Sequence, residues 1–249
     1  MSGHNKWANI KQRKGAQDAK RSNLFSKIAK EIILAAKRGG NPETNAALRT
    51  AIDKAKEANM PKDNIEKNIK RGTGELEGVT YEELTYEGYG PGGVAVIVDL
   101  VTDNKNRSAA EIRKIFSKFG GNLGESGSVA WMFAKKGYIG INGLKHTEDQ
   151  VMEVALDMGA DDIKVSDDSI EVYTTIESYN TVLQGLKEKG FEVTSSEITR
   201  IPANMVALEK DKAISVLKLM DELESNDDVQ NAASNADIPD AAMEEFANS

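Results

Sequence analysis

Apolar residues recur every three or four positions between Ser22 and Lys37. On a wheel of about 100° per residue, Leu24, Phe25, Ile28, Ile32, Ala35 and Ala36 share one side. The other side carries Lys20, Lys27, Lys30, Lys37 and Arg38, so the pattern predicts an amphipathic helix with its apolar face packed and its basic face outward. Gly39-Gly40 ends it; Asn41 then reads as an N-cap, with Pro42 at the first position of a second helix reaching Ala58. Pro61 opens a third helix, with Ile65 and Ile69 at helical spacing and a stop at Gly72. Upstream, residues 2–21 hold only Trp7, Ala8, Ile10, Ala16 and Ala19 as apolar groups. These are too few to bury a face, so the segment reads as an extended basic arm that orders on a partner.

After a Gly-rich linker over Gly72 to Gly78 the pattern turns to strands. Tyr81 to Tyr86 and Val94 to Val101 flank a Gly-rich turn. Arg107 to Phe119 places Ala109, Ile112, Ile115, Phe116 and Phe119 on a helical face, and Ser128 to Phe133 reads as a strand, giving ββαβ. Next come Tyr138 to Ile141 (strand), Thr147 to Met158 (helix), Asp162 to Val165 and Ser169 to Thr174 (strands), Tyr179 to Lys189 (helix) and Phe191 to Thr199 (strand). That order, βαββαβ, is a complete ferredoxin-like unit. Beyond Pro202 remain a short strand (Met205 to Leu208), a helix (Asp211 to Leu223) and a strand near Val229 to Ala233. These are too little for a domain and about what the ββαβ piece lacks. The expected fold class is α+β, an N-terminal three-helix domain followed by two α/β ferredoxin-like domains, one inserted into the other. The expected boundaries are 1–74 for the helical domain, 79–134 with 203–249 for the discontinuous domain, and 135–202 for the inserted one.

Composition narrows the function. The chain has 249 residues, 29% charged and 39% apolar, which fits a well-solvated globular protein. No apolar run approaches the roughly 20 residues of a membrane helix. The polar, basic opening has no apolar segment behind it and does not read as a secretory signal, so the expected location is the cytoplasm. Cysteine is absent and only His4 and His146 are imidazoles, which leaves little for a thiolate, disulfide or histidine-built metal site. The net charge of −8 conceals two opposite parts. Residues 1–74 carry 17 Lys+Arg against 7 Asp+Glu, or +10, and residues 75–249 carry the remaining 15 against 33, or −18. A cationic end of that kind attracts phosphate. After Lys218 come nine acids and no base, so the C-terminal end would repel nucleic acid and could compete for the basic arm.

Individual motifs also have plain structural readings. Gly88-Tyr89-Gly90-Pro91-Gly92-Gly93 has the spacing of a dinucleotide loop, yet Val94-Ala95-Val96-Ile97-Val98 follows as a strand where a helix is required, so a hairpin loop is expected. Asp161-Asp162 and Asp167-Asp168 are read as turn and strand-end residues rather than cation ligands. His4 is read as a surface or phosphate contact and His146 as a loop residue. In the polar turn before the Arg107 helix, Asn106 is the expected cap, and Lys105 and Arg107 could touch a phosphate. The strongest signal is Lys6-Trp7-Ala8-Asn9-Ile10-Lys11-Gln12-Arg13-Lys14, where cations pair phosphates while Trp7 stacks on an unpaired base or anchors the arm. The candidate nucleic-acid-binding residues are Lys6, Trp7, Lys11, Arg13, Lys14, Lys20, Arg21 and Lys27. No catalytic residue, metal or cofactor is expected, and an acid-built enzyme site has only acid count in its favour.

Several blocks together resemble the YebC/PmpR family of bacterial gene-expression regulators, which includes the mitochondrial translational activator of cytochrome c oxidase. They are Gly3-His4 with Lys6-Trp7 and Ile10, Lys14, Asp18, Arg21, Phe25 and Lys27; Asn59-Met60-Pro61-Lys62 with Asn64-Ile65; Tyr86 to Gly93; Thr102-Asp103-Asn104 with Arg107; Gly120-Gly121; Gly127-Ser128-Val129 with Trp131-Met132-Phe133; and Asp227-Asp228-Val229-Gln230 with Asn235. Asn5, Asn41 and Ser108 stand where the family usually has Ser, Asp and Thr, and Ala232-Ala233 replaces a bulkier apolar pair. The resemblance implies a helical N-terminal domain and two α/β domains, one inserted in the other. It also implies one of two activities for the same charges: DNA-binding transcriptional regulation, or ribosome association that relieves stalling in proline-rich stretches. The expected partner is nucleic acid, DNA or ribosomal RNA, with the ribosome as a possible host and no membrane. No helix shows a clear row of Arg, Asn and Gln for base edges.

Overall fold

The computed structural model describes the backbone of residues 17–166 and 169–248, and the side chains of 21–165 and 169–248. Three helices come first: α1 (Gln17–Ala36), α2 (Ala46–Glu57) and α3 (Lys62–Thr73). Ile28, Ile32 and Ala36 of α1 close a small core with Leu48, Ala51 and Ala55 of α2 and Met60 and Ile65. The helix begins at Gln17, five residues before the expected start, so residues 17–21 are helical and not part of an extended arm. Lys20 and Arg21 thus belong to α1. A helix end can extend as a polar turn beyond its buried stripe, because the apolar face anchors the helix and propagation adds one bond per residue.

The cap of α2 also differs from expectation. Asn45, not Asn41, holds it, the Leu48 N–H donating to Asn45 Oδ1 at 3.1 Å. The Asn45 amide donates in turn to Ala35 O and Gly39 O, so one residue satisfies an orphan donor of α2 and two carbonyls near the end of α1. The Asn41 side chain instead accepts from Glu43 N in the preceding turn, at 2.9 Å. Likewise α3 passes through Gly72 and ends at Gly74, which has φ 83. Gly72 serves packing: a Cβ there would lie 2.5 Å from Ala36 Cβ and from Ile33 O, so its absence lets α3 cross close to α1.

The remaining elements are β1 (Glu82–Tyr89), β2 (Ala95–Thr102), α4 (Lys105–Lys118), β3 (Asn122–Leu123), β4 (Phe133–Asn142), α5 (Glu148–Asp157), β5 (Ala160–Ser166), β6 (Ser169–Thr174), α6 (Tyr179–Glu188), β7 (Val193–Pro202), β8 (Val206–Ala207), α7 (Lys210–Ser225), β9 (Val229–Ser234), β10 (Ala236–Asp237) and α8 (Asp240–Ala247). One sheet has the order β3-β1-β2-β9 and the other β5-β6-β4-β7; β8 and β10 form a short parallel pair. The second sheet is antiparallel throughout, with α5 and α6 over Ile139, Ile141, Ile170 and Val172, which is the ferredoxin-like arrangement. The chain leaves the first sheet after β3 and returns to it at β9, where Val96 pairs with Ser234 antiparallel. The fold is therefore a helical unit followed by two α/β units, one interrupting the other in sequence.

The Gly-rich segment is a hairpin connection: β1 and β2 pair antiparallel through a short turn with Gly92 at φ 79 and Gly93 at φ 76. Both faces of β2 are buried. Val96, Val98 and Leu100 face α4 and α7, while Ala95 and Ile97 meet Val129, Phe133 and Ala233. This explains why the strand reads as a nearly continuous apolar run.

Residues 128–133 are not the expected strand. Ala130–Met132 form a 3-10 turn, β4 starts at Phe133, and the short partner of β1 is Asn122–Leu123. The cause is Glu87, a buried carboxylate that accepts from the backbone N–H of Gly127 (2.6 Å), Val129 (2.7 Å) and Ala130 (2.7 Å). Those amides are engaged by a side chain and cannot join a ladder. Burial would raise the Glu87 carboxyl, but the three backbone donors outweigh it and the net direction is down.

Candidate nucleic-acid interface

The cationic helix α1 lies against the acidic end of the chain. Asn23, Lys27 and Lys30 follow at i, i+4 and i+7, and reach the last turn of α7 and the turn that leads from it to β9. Asn23 Nδ2 donates to Ser225 O (2.9 Å) and Asp227 Oδ1 (2.8 Å). Lys27 Nζ donates to Glu224 O (2.6 Å), and Lys30 Nζ to Asp227 O (2.8 Å) and Asp228 Oδ1 (2.7 Å). Farther along, Lys37 Nζ donates to Tyr81 O at 2.8 Å. The expectation that this face points outward is thus corrected for Lys27 and Lys30, while Lys37 and Arg38 are exposed. Lys30 is buried and Lys27 half-buried, because a row of ammonium groups beside a carbonyl-rich, acidic turn is better satisfied there than by water alone.

Asp228 is the centre of this contact. Its second oxygen accepts from Arg107 Nη2 (2.8 Å), Ser108 Oγ (2.8 Å) and Thr102 Oγ1 (3.1 Å). Burial alone would raise its carboxyl; the hydrogen bonds from Arg107, Lys30 and Ser108 prevail and hold it at about 2. Arg107 also bonds Asp103 (2.9 Å), and these acceptors raise its guanidinium further. Asn104 caps α4, accepting from Arg107 N at 3.1 Å, while Asn106, the expected cap, lies inside the helix. The resemblance blocks at 102–107 and 227–230 therefore meet at one polar centre that joins the helical unit to the first sheet. Local spacing holds no sign of it, since Lys30 and Asp228 are 198 positions apart.

Of the candidate binding residues, Lys6, Trp7, Lys11, Arg13 and Lys14 lie outside the described residues, as does His4; Lys20 is in α1 with its side chain also outside them. Arg21 is exposed on α1, its guanidinium 5.3 Å above the Phe25 ring. Lys27 is held as described. Among the described residues, Arg38, Arg49, Lys67 and Lys70 are exposed and make no ion pair, whereas Lys54, Lys56 and Lys62 pair with Glu31, Asp53 and Glu66. The exposed cations of the helical unit thus sit on α2, α3, the start of α1 and the turn after it.

A polar groove between α1 and α3, of about 310 Å³, was not anticipated. Asn64, Lys67, Asn68 and Arg71 line it at i, i+3, i+4 and i+7, a spacing present in the sequence but overshadowed by the apolar pair Ile65 and Ile69 on the adjoining face. The other sequence candidates take ordinary roles. His146 Nε2 accepts from Glu192 N, and Asp161 pairs with Lys136. Asp167 and Asp168 lie outside the described residues. Among the described residues no cluster of three metal-ligating side chains occurs, and no helix is long and apolar enough to cross a membrane.

A helical unit docked by its first helix onto an α/β pair, with an interrupted first sheet, defines the class of protein. Residues 5–75 match the TACO1/YebC protein N-terminal domain, and residues 81–236 match the TACO1/YebC second and third domain. The chain belongs to the TACO1/YebC family. A relative from Dictyoglomus turgidum is 60% identical over 246 residues, covering 98% of this chain and 99% of its own. Another from Syntrophobacter fumaroxidans is 55% identical over 249 residues, covering 99% and 100%. Both carry the name "Probable transcriptional regulatory protein". The crystal structure of a conserved hypothetical protein from Aquifex aeolicus superposes with a TM-score of 0.81 at 45% identity, over 91% of this chain and 94% of that one.

Proposed function

We propose that this chain is a cytoplasmic, non-enzymatic regulator of gene expression that binds nucleic acid through residues 1–74 and acts as a DNA-binding transcriptional regulator. The observation that carries this reading is the charge division, +10 on residues 1–74 against −18 on the rest (17 − 7 and 15 − 33). Exposed Arg21, Arg38, Arg49, Lys67 and Lys70 support it on the helical unit, and the names of the relatives support transcription as the process. In this reading Lys6, Lys11, Arg13, Lys14, Lys20 and Arg21 neutralise phosphate and Trp7 stacks or anchors the arm. Lys27 contributes less than its charge suggests, since Glu224 holds it. The working partition is 1–74 as the nucleic-acid-facing domain, 79–134 with 203–249 as a discontinuous α/β domain, and 135–202 as its insertion.

A second reading, a ribosome-associated factor that relieves stalling in proline-rich stretches, is favoured by one observation. The basic side of α1 is occupied by the α7–β9 turn, and α3 has only 12 residues, so a long bare basic helix for a DNA major groove is lacking among the described residues. Sedimentation with purified ribosomes, beside binding to promoter-length duplex DNA at the same salt, separates the two. Sequence-selective DNA binding without ribosome association is the result for a transcriptional regulator; co-sedimentation with weak, sequence-indifferent DNA binding transfers the protein to translation.

A further inference from the structure

The α1/α3 groove has chemistry that the overall charge does not explain. Asn68 is 7% exposed, and its Oδ1 accepts from Arg71 Nη1 at 3.5 Å, the outer limit of a hydrogen bond. Its amide nitrogen has no partner among the described residues, and the side chain lines the groove. That nitrogen opens to solvent in the groove, so a ligand entering there would take the place of water on it. Asn64 stands one turn earlier on the same face, exposed, with a second amide. Phe25 supplies an aromatic ring on the α1 side, at present covered by the Arg21 guanidinium. Lys67 and Arg71 add two cations on the α3 side.

Resting on the nucleic-acid reading above, we infer that this groove binds one unpaired nucleotide. Its base exchanges with the Arg21 guanidinium on the Phe25 ring and is read by the Asn64 and Asn68 amides, and its phosphate meets Lys67 and Arg71. Each part matches a group on the ligand. An amide side chain pairs with the donor-acceptor edge of a base, a ring face takes either a guanidinium or a base, and cations take the phosphate. The volume, about 310 Å³, is at the low end for a small-ligand site and suits a single nucleotide better than a duplex, whose stacked bases cannot enter.

The test uses the full-length chain and two variants, Asn64→Ala with Lys67→Ala, both at exposed positions, and Phe25→Leu, which keeps an apolar side chain but removes the ring; thermal melting checks folding. The probes are 12-nucleotide single strands of RNA and of DNA carrying 2-aminopurine, and a DNA duplex of the same sequence. The inference expects 2-aminopurine fluorescence to rise on at least one single strand, as the base leaves its stacked neighbours for the Phe25 ring. It also expects single-strand affinity to fall roughly tenfold in the Asn64/Lys67 variant, with duplex affinity changed less than about twofold, and loss of the fluorescence rise in the Phe25 variant. The single strand bound more tightly, RNA or DNA, identifies the source. Unchanged affinity and an unchanged fluorescence response in both variants, while Lys11→Glu, Arg13→Glu and Lys14→Glu together abolish binding, overturns the groove and leaves the nucleic-acid reading standing. Failure of the unmodified protein to bind any of the probes overturns both.

Discussion

The Lys30 ammonium and the Asp228 carboxylate meet at 2.7 Å with only 9% and 7% of their side chains exposed. Removing two charges from water is expensive, and the pair persists because the remaining positions are filled: Asp227 O on Lys30, and Arg107, Ser108 and Thr102 on Asp228. Asp228→Ala deletes the acceptor and leaves a buried ammonium and several donors. Chemical denaturation of this variant is expected to show a loss of about 3 to 5 kcal/mol. Lys30→Met should cost less, since Asp228 keeps its other donors. Equal stability of Asp228→Ala and the parent chain would contradict the account.

The same carboxylate gives a pH prediction. Its pKa is lowered on folding from an ordinary 3.8 to about 2, so the stabilisation is complete above the unfolded value and is lost as pH falls from about 4 towards 2. A shift of this size corresponds to about 2 kcal/mol. Stability measured between pH 5 and pH 2 should fall more steeply for the parent chain than for Asp228→Asn. Parallel pH profiles would show that this carboxylate ionises alike in the folded and unfolded chains.

Glu87 makes a third case. Glu87→Gln keeps the shape but turns one oxygen into a donor, which cannot accept the N–H groups now shared between the two oxygens. The expected cost is about 2 kcal/mol. Amide exchange at Gly127, Val129 and Ala130 should accelerate, because these three lose a common anchor. Trp131 should become more mobile: it is 72% exposed and held by the same turn through Nε1 to Ser128 O. Unchanged protection of the three amides would rule out the anchoring role.

Burial also separates two kinds of cation on one helix. Lys30, already bonded inside the protein, has few counterions to release, so Lys30→Met should leave the salt dependence of nucleic-acid binding unchanged in any variant that stays folded. Arg21→Ala, at an exposed position of α1, should lower the slope of log K against log salt by about one unit if it meets a phosphate. A reversed order, with Lys30 controlling the slope, would mean that α1 leaves the α7–β9 turn on binding.

Much of the fold was readable from local patterns. Ser169–Thr174 is the expected strand, and Phe25, Ile28, Ile32, Ala35 and Ala36 of α1 and Ile112, Ile115, Phe116 and Phe119 of α4 pack as their spacing implies, whereas Leu24, expected on the packed side of α1, is 41% exposed. The return of β9 to β2 followed from counting elements, because a strand, a helix and a strand cannot form a core alone. What misled were side chains acting at a distance. Glu87 removed the strand expected at 128–133, and Asn45 outcompeted Asn41 by also bonding the end of α1. The inward turn of Lys27 and Lys30 depended on a segment near the other end of the chain. The charge sum indicated that the acidic tail could compete for basic groups but not which ones. The row Asn64, Lys67, Asn68 and Arg71 stands at helical spacing in the sequence, but the apolar pair Ile65 and Ile69 sets the face that the pattern predicts, and the row has no place in that prediction.

The central claim, that the N-terminal region binds nucleic acid through phosphate, is tested most directly by the salt dependence of binding with Lys11, Arg13 and Lys14 changed together to Glu. Affinity for a fixed nucleic acid is measured across a salt series for the parent chain and the variant. The account predicts weaker binding and a slope flattened by about one unit for each phosphate no longer neutralised, up to about three. A variant that binds as tightly and with the same slope as the parent chain would contradict it.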